Sequence, residues 1–315
     1  MISDKVDSQT DEWSDWLLHR RHADDLEYAQ RVREAVNRIR DRVVEGARLC
    51  SGMILADIGA GDGLIAFDAI DRIGPSLRVI FTDISVPLLH HAESLAVERG
   101  VREQCTFLQC SADHLAEIPD ASVDVVTTRA VLAYVSDKTA ALREFYRVLK
   151  PGGRISIAEP IFRDNAYETI ELKRFIEAQP PESRNRFLPL LHKWKASLFP
   201  DTPDLMAKNP LTNFSERDLF RYVAAAGFTE IRLEFHIEIL PCITTSWDVF
   251  VGSSPHPWAP SLETILTSQF TVDERQDFEQ AMRPVVEQNQ STSTERNAYV
   301  TAIKPHSRSK LDVIN

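Results

Sequence analysis

One short stretch carries the residue types and spacing for ligand chemistry: Asp57-Ile-Gly59-Ala60-Gly61-Asp-Gly63. An apolar run of strand length, Met53 to Ala56, leads into the acid. An apolar segment with helical character, Leu64 to Ile73, follows the glycines. Strand, glycine loop and helix together open a nucleotide-binding α/β unit. Without Cβ atoms the loop turns sharply and lets a ligand lie against the backbone. The first N–H groups of the helix, which have no partner within it, then face that ligand. A second acid, Asp83, ends the next apolar run, Leu77 to Phe81, about 20 residues beyond the glycines. A carboxylate there can accept hydrogen bonds from both hydroxyls of a ribose. Two descriptions compete for the loop. Gly61, Gly63 and Ala66 match the dinucleotide pattern Gly-x-Gly-x-x-Ala, whereas acid-x-Gly-x-Gly-x-Gly describes the whole stretch. Asp83 serves an adenosine in either case, and a bare turn without a ligand is the plain alternative.

The chain that must position these groups has 315 residues, 43% hydrophobic and 26% charged. That is enough for a full core in one large α/β domain with additions, or in two domains. Its 47 acidic and 36 basic residues leave a net charge of −11, which disfavours a nucleic acid partner. No apolar run reaches the ~18 residues of a membrane span, and the polar, acidic start does not resemble a signal peptide. Cys50, Cys105, Cys110 and Cys242 form no Cys-x-x-Cys pair. They are expected to be reduced, as in the cytoplasm, with no metal site.

The periodicity predicts helix over residues 11–48, broken near Ala23-Asp24, with Val32, Val36, Ile39 and Val43 on one apolar face. Ser85 is an N-cap for a helix from Val86 to Gly100. Strands are predicted over Cys105–Gln109 and Ser122–Thr128. A helix from Lys138 to Leu149 is stopped by Lys150-Pro-Gly-Gly153 before a strand, Arg154 to Ala158. Residues 161–210 break the alternation with helical pieces, Tyr167 to Glu177 and Ser183 to Leu198. Ser215-x-x-Asp218 is a capping box for the next helix. Phe228 to Leu240 reads as a long strand, Asp273 to Val286 as an amphipathic helix and Asn297 to Ile303 as the last strand.

Over roughly residues 50–160 these motifs resemble the class I S-adenosylmethionine-dependent methyltransferases, and the Leu-Lys-Pro-Gly-Gly run resembles their small-molecule branch. The resemblance implies an α/β fold: a Rossmann-like, seven-stranded, mostly parallel sheet with helices on both faces, the last strand antiparallel. It implies a helical cap over residues 1–48, a cofactor-binding core over 49–160 and a helical insertion over 161–210 that could cover the substrate. The rest of the sheet falls in 211–304, with an insertion at 241–296, and 305–315 is a loose tail. It further implies S-adenosyl-L-methionine as cofactor. Asp57, Gly59, Ala60 and Gly61 would hold its methionine end, Asp83 with Ile84 its ribose, and Ala112 and Asp113 its adenine. Asp113 and Ser111 could equally be only helix caps. Arg129 would contact the cofactor near the space where it meets the acceptor. Tyr134, Trp16 and His192 are candidates to line the acceptor's side. The acceptor would be a small molecule, with a homodimer allowed.

Methyl transfer from a sulfonium is an in-line displacement that needs positioning first, and a base only where the acceptor must lose a proton. His22, in the Trp- and His-rich segment Trp13 to His22, is the first candidate base, with His192 and His236 as alternatives. A solvated His22 is the plain alternative. Two rivals remain: an NAD-dependent oxidoreductase, against which Asp57 and Lys150–Gly153 speak, and a non-catalytic partner protein that keeps the fold.

Overall fold

The computed structural model describes residues 10–180, 185–242, 246–288 and 292–306. Most of the tail 305–315, and residues 1–9, lie outside these residues. The central strands are apolar on both faces, as a parallel sheet covered on both sides requires. In β1 (Ile54–Ile58) and β4 (Val123–Arg129) nearly every side chain is buried. They pair in parallel with each other. β2 (Arg78–Asp83) pairs with β1, β3 (Cys105–Gln109) with β2, and β5 (Leu149–Pro160) with β4, all in parallel. β7 (Thr292–Ile303) runs antiparallel to β5 and to β6 (Thr229–Pro241). Among the described residues this is one seven-stranded sheet in the order β3-β2-β1-β4-β5-β7-β6, the α/β architecture expected.

The helices that cover it follow from apolar faces and caps. On one face α3 (Leu64–Ile73) and α4 (Val86–Glu98) pack through Ala66, Ile70, Leu89 and Ala92 against Leu55, Val79 and Phe81. On the other, α5 (Lys138–Val148) and α9 (Glu216–Ala225) bury Leu142, Phe145, Leu219 and Val223. Ser85 caps α4, and Ser215 with Asp218 forms the predicted capping box of α9. The long helix α2 (Leu26–Ala47) lies on β5 with Ser156 donating to the Val43 carbonyl at 2.7 Å. Gly46 permits this approach, because a Cβ there would sit 2.5 Å from the Ser156 hydroxyl oxygen.

Several boundaries differ from the sequence expectation, α6 (Arg163–Ala178) starting four residues before Tyr167 among them. Lys150–Gly153 is not a turn outside the sheet: β5 starts at Leu149, paired with Val123, and passes through an irregularity before Arg154 pairs with Val125. The Gly152 amide donates to the Lys304 carbonyl and the Lys304 amide to Gly153, so these peptides find partners without leaving the sheet. β7 begins five residues early, at Thr292, because β6 continues to pair with it out to Pro241. The predicted helix Ser183 to Leu198 is observed as α7 (Phe187–Ala196), and residues 181–184 lie outside the described residues.

Between β5 and α9 come α6 (Arg163–Ala178), α7 and α8 (Pro203–Lys208). Between β6 and β7 come α10 (Trp247–Gly252), α11 (Leu262–Gln269) and α12 (Val272–Glu287). The two inserted sets share one apolar cluster: Leu190 of α7 is buried with Trp247, Ile265, Leu266 and Phe278. None of the described helices is long and apolar enough to cross a membrane.

Candidate functional site

A cavity of about 360 Å³ lies at the carboxyl ends of β1, β2 and β4, where open α/β sheets bind ligands. Asp57, Gly59, Ala60 and Gly61 line it from the first turn, Asp83 and Ile84 from the second, and Ala112 and Asp113 from the third. Arg129 and Tyr134 line it beyond β4, and Trp16 lines it from the N-terminal segment. The backbone of the first turn is left-handed at Gly59, φ +63°, where a Cβ would collide with Val131 at 2.4 Å.

Asp57 is 1% exposed. One carboxylate oxygen accepts from Thr127 at 2.8 Å, and the other has no hydrogen-bond partner. Burial outweighs the Thr127 bond and the pull of the Ala66 amide and pushes this carboxyl up to about 7. A buried oxygen without a donor calls for one from a ligand.

Asp83 has a structural task that its place in the sequence does not reveal. Its two oxygens accept from the Gly61 and Ser85 amides, each at 2.9 Å, so it ties the glycine turn to the cap of α4. Burial raises its pKa against these two bonds. The lone pairs left over remain available on the cavity side.

Basic groups gather opposite. Burial lowers the pKa of Arg129, with Asp62 acting against it. Arg21 is brought down to about 10, first by burial and next by Arg129. Arg33 pairs with Asp62 at 2.7 Å. Of the three, Arg129 lines the cavity, beside Asp62, and its guanidinium can meet an anionic ligand group.

Glu159, fully buried near the end of β5, is not singled out by the sequence. It accepts from the Thr128 hydroxyl at 3.1 Å and from the Val131 and Ala133 amides at 3.1 and 3.0 Å. It thereby sets the path of the loop that carries Tyr134. Burial first, and Glu159 next, push the Tyr134 hydroxyl far up, so it stays protonated and available as a donor. Burial also raises the Cys110 thiol, another lining group, to about 11, which leaves it an inert thiol at neutral pH.

The N-terminal segment covers the cavity. Trp13, Trp16 and Leu17 face it, and Leu17 approaches Gly61. A short helix, α1 (Glu12–Asp15), runs into a π-helical turn at Trp16–Arg20, a local irregularity frequent at functional sites. Left-handed backbone at Ala23 and Asp24 then breaks the chain before α2, where the sequence predicts a break. Arg20 fastens this segment to the loop before α11. Its guanidinium donates to the Ala259 carbonyl at 3.0 Å and the Pro257 carbonyl at 3.1 Å, and Trp16 donates to the Ser254 carbonyl at 3.0 Å. Tyr134 meets Trp13 and Trp258 edge-on, each at 5.1 Å. This aromatic wall joins three distant parts of the chain; of its members the sequence offers Tyr134 as a lining candidate and Trp13 only as part of the Trp- and His-rich segment.

The expected histidines are not brought into the cavity, and no histidine lines it. His22 stands just before the left-handed turn at Ala23-Asp24 and does not line it. Burial lowers the pKa of His22, and its Nδ1 has no partner. His192 sits on α7 in the inserted layer, 3.4 Å from Asp201, which Lys173 also holds at 2.8 Å. His236 lies on edge strand β6, where it meets Arg42 at 2.8 Å.

A family model described as a methyltransferase domain matches residues 56–157, the part that builds this cavity's floor. The chain is 30% identical over 206 residues to nocamycin O-methyltransferase of Saccharothrix syringae, covering 64% of this chain and 67% of that one. It is 34% identical over 116 residues to a ubiquinone/menaquinone biosynthesis C-methyltransferase of Cellvibrio japonicus, covering 37% of this chain and 46% of that one. The chain thus spans about half the length of several curated relatives it matches. The solved structure of the [4+2]-cyclase SpnF, 23% identical, shares the fold at a TM-score of 0.50, covering 87% of this chain and 83% of that one. With its sheet order, acid-led glycine turn and these relatives, the chain belongs to the class I S-adenosylmethionine-dependent methyltransferases.

Proposed function

We propose that this protein transfers a methyl group from S-adenosylmethionine to a small-molecule acceptor. The observation that carries this reading is the buried Asp57 oxygen without a donor, at the floor of a cavity walled by the glycine turn. An ammonium group such as that of a methionine end would complete it, and Arg129 would take the neighbouring carboxylate. Asp83 would accept from ribose hydroxyls, with Ile84 beside it. Asp113 and the Ala112 amide would hold the adenine. When bound, the cofactor supplies an electrophilic methyl group on a sulfonium.

The chain's own contribution is positioning. Trp13, Trp16 and Tyr134 close the acceptor's side and exclude water, and the protonated Tyr134 hydroxyl donates to a ligand oxygen rather than removing a proton. No histidine base is assigned, so acceptors that react without one, or that ionise beforehand, suit this site. Four unbridged cysteines support a cytoplasmic setting.

Calorimetry with S-adenosylhomocysteine and with NAD tests the cofactor: the first should bind and the second should not, and the reverse would overturn the reading. Methyl-labelled S-adenosylmethionine, incubated with the protein and a small-molecule extract, should then label a product. Cofactor binding without any labelled product would favour a non-transferring role.

A further inference from the structure

The sheet ends on an edge that its own fold leaves open. Among the described residues β6 pairs with β7 alone, so the N–H and C=O groups on its outer side face no strand. Its pairing with β7 runs without irregularity from Arg232 to Pro241. Side chains alternate along it between two faces. On one, Leu233 and Phe235 pack half-buried against the core. Ile237 and Ile239 continue that row and are 59% and 71% exposed. The other face carries Arg232, Glu234, His236 and Glu238.

Glu238 is the odd member of the charged row. It stands directly across from Glu295 on β7, and like charges directly opposite are destabilising. Burial raises the Glu295 pKa first; Arg38 acts against it, and Glu238 adds to the rise. Glu234, by contrast, has Arg232 at 2.8 Å and Arg42 at 3.5 Å. Among the described residues no basic side chain lies within ion-pair distance of Glu238. The edge strand therefore holds an exposed carboxylate that its neighbour across the ladder repels and that no cation of its own sheet pairs.

We propose that β6 is the edge through which a second copy of this chain binds, the two β6 strands pairing antiparallel about a two-fold axis at Phe235. In that register Arg232 lies across from the partner's Glu238, Glu234 from the partner's His236 and Leu233 from the partner's Ile237. All of these residues fall where β6 runs regularly along β7. The charges select the register. An axis one residue earlier sets Arg232 against His236, and one residue later sets Glu234 against Glu238. Pairing at Phe235 gives Glu238 the cation its own sheet lacks, sets Ile237 beside an apolar side chain and joins both open edges into one sheet. The surface lies apart from the cavity, so the proposal does not depend on the methyl-transfer reading.

Sedimentation equilibrium of the full chain tests this. The unaltered protein should sediment at twice its 35.7 kDa chain mass. Glu238→Arg and Arg232→Glu each set like charges against each other twice across the axis, and each should weaken association at least about tenfold. Both positions are exposed, so the chain itself should stay folded. Mixing the two variants should restore the dimer, because every facing pair in the mixed species then joins opposite charges. Damage to the fold of either variant could not produce that rescue. In the unaltered protein, amide exchange within residues 232–238 should slow as the concentration rises, and this measurement decides should a variant fail to fold. A 35.7 kDa species at every concentration, which would leave the edge to solvent or to a different protein, would overturn the proposal. So would a dimer that survives both substitutions, a mixture that stays monomeric, or exchange at 232–238 that is indifferent to concentration.

Discussion

The floor and the cover of the cavity are held in different ways. The floor is local. Asp57, the glycine turn, Asp83 and Ser85 lie at adjoining strand ends, and the backbone amides of Gly61 and Ser85 fix the carboxylate between them. The cover depends on side chains more than two hundred residues apart in sequence, Arg20 and Trp16 reaching the segment 254–259. A floor of this kind is preformed before ligand arrives. A cover joined by one arginine and an aromatic wall can open without disturbing the sheet.

The sharpest break of that contrast is Arg20→Met. It removes several charge-assisted bonds to buried or half-buried carbonyls, each worth about 1.5–3 kcal/mol. Hydrogen exchange should show residues 11–22 losing protection by at least about tenfold, with β1, β2 and β4 unchanged. Unchanged protection at 11–22 would mean that the cover is held by something else.

The floor should answer differently. Asp83→Ala removes the acceptor of two amides as well as the proposed ribose contact. S-adenosylhomocysteine affinity should fall at least about tenfold and thermal stability should drop with it. An intact melting temperature with normal affinity would contradict both tasks. A smaller effect belongs to Glu159→Gln, which keeps the shape but replaces an ionisable acceptor of three bonds. Denaturant unfolding should show a loss of about 1–2 kcal/mol, and no loss would remove Glu159 as the group that positions Tyr134. The smallest effect is expected at His22→Phe, which should leave S-adenosylhomocysteine affinity within about twofold, because His22 does not line the cavity.

The same contrast explains what could be read from the chain beforehand. The seven-stranded sheet with its antiparallel last strand, the acid-led turn, Asp83, Asp113, Arg129 and Tyr134 were legible because each lies at or just beyond a strand end that short-range patterns mark. The path of residues 150–153 was not, since Lys-Pro-Gly-Gly reads as a turn until Lys304 supplies the partners that keep it in the sheet. His22 stands out in the sequence only for lying in the Trp- and His-rich segment near the junction with α2, and that place does not say whether it lines the cavity, which it does not. Trp258 carried no local signal. Its neighbour Tyr134 is set by tertiary packing alone.

Asp57 offers the most direct measurement. Its carboxyl is raised by burial to about 7. The folded protein without ligand therefore holds a proton that the unfolded chain releases nearer pH 4, and the stability this contributes is lost as pH rises toward 7. An ammonium on the ligand requires the ionised form, so binding must expel that proton below pH 7 and need expel none well above it. S-adenosylhomocysteine affinity, measured by calorimetry from pH 5.5 to 8.5, should rise by up to about tenfold per unit below 7 and level off above. In Asp57→Asn it should be weaker and flat over the same range. An affinity that is equal at pH 6 and pH 8 in the unaltered protein, or an Asp57→Asn variant that binds as tightly, would contradict the assignment of Asp57 to the methionine end.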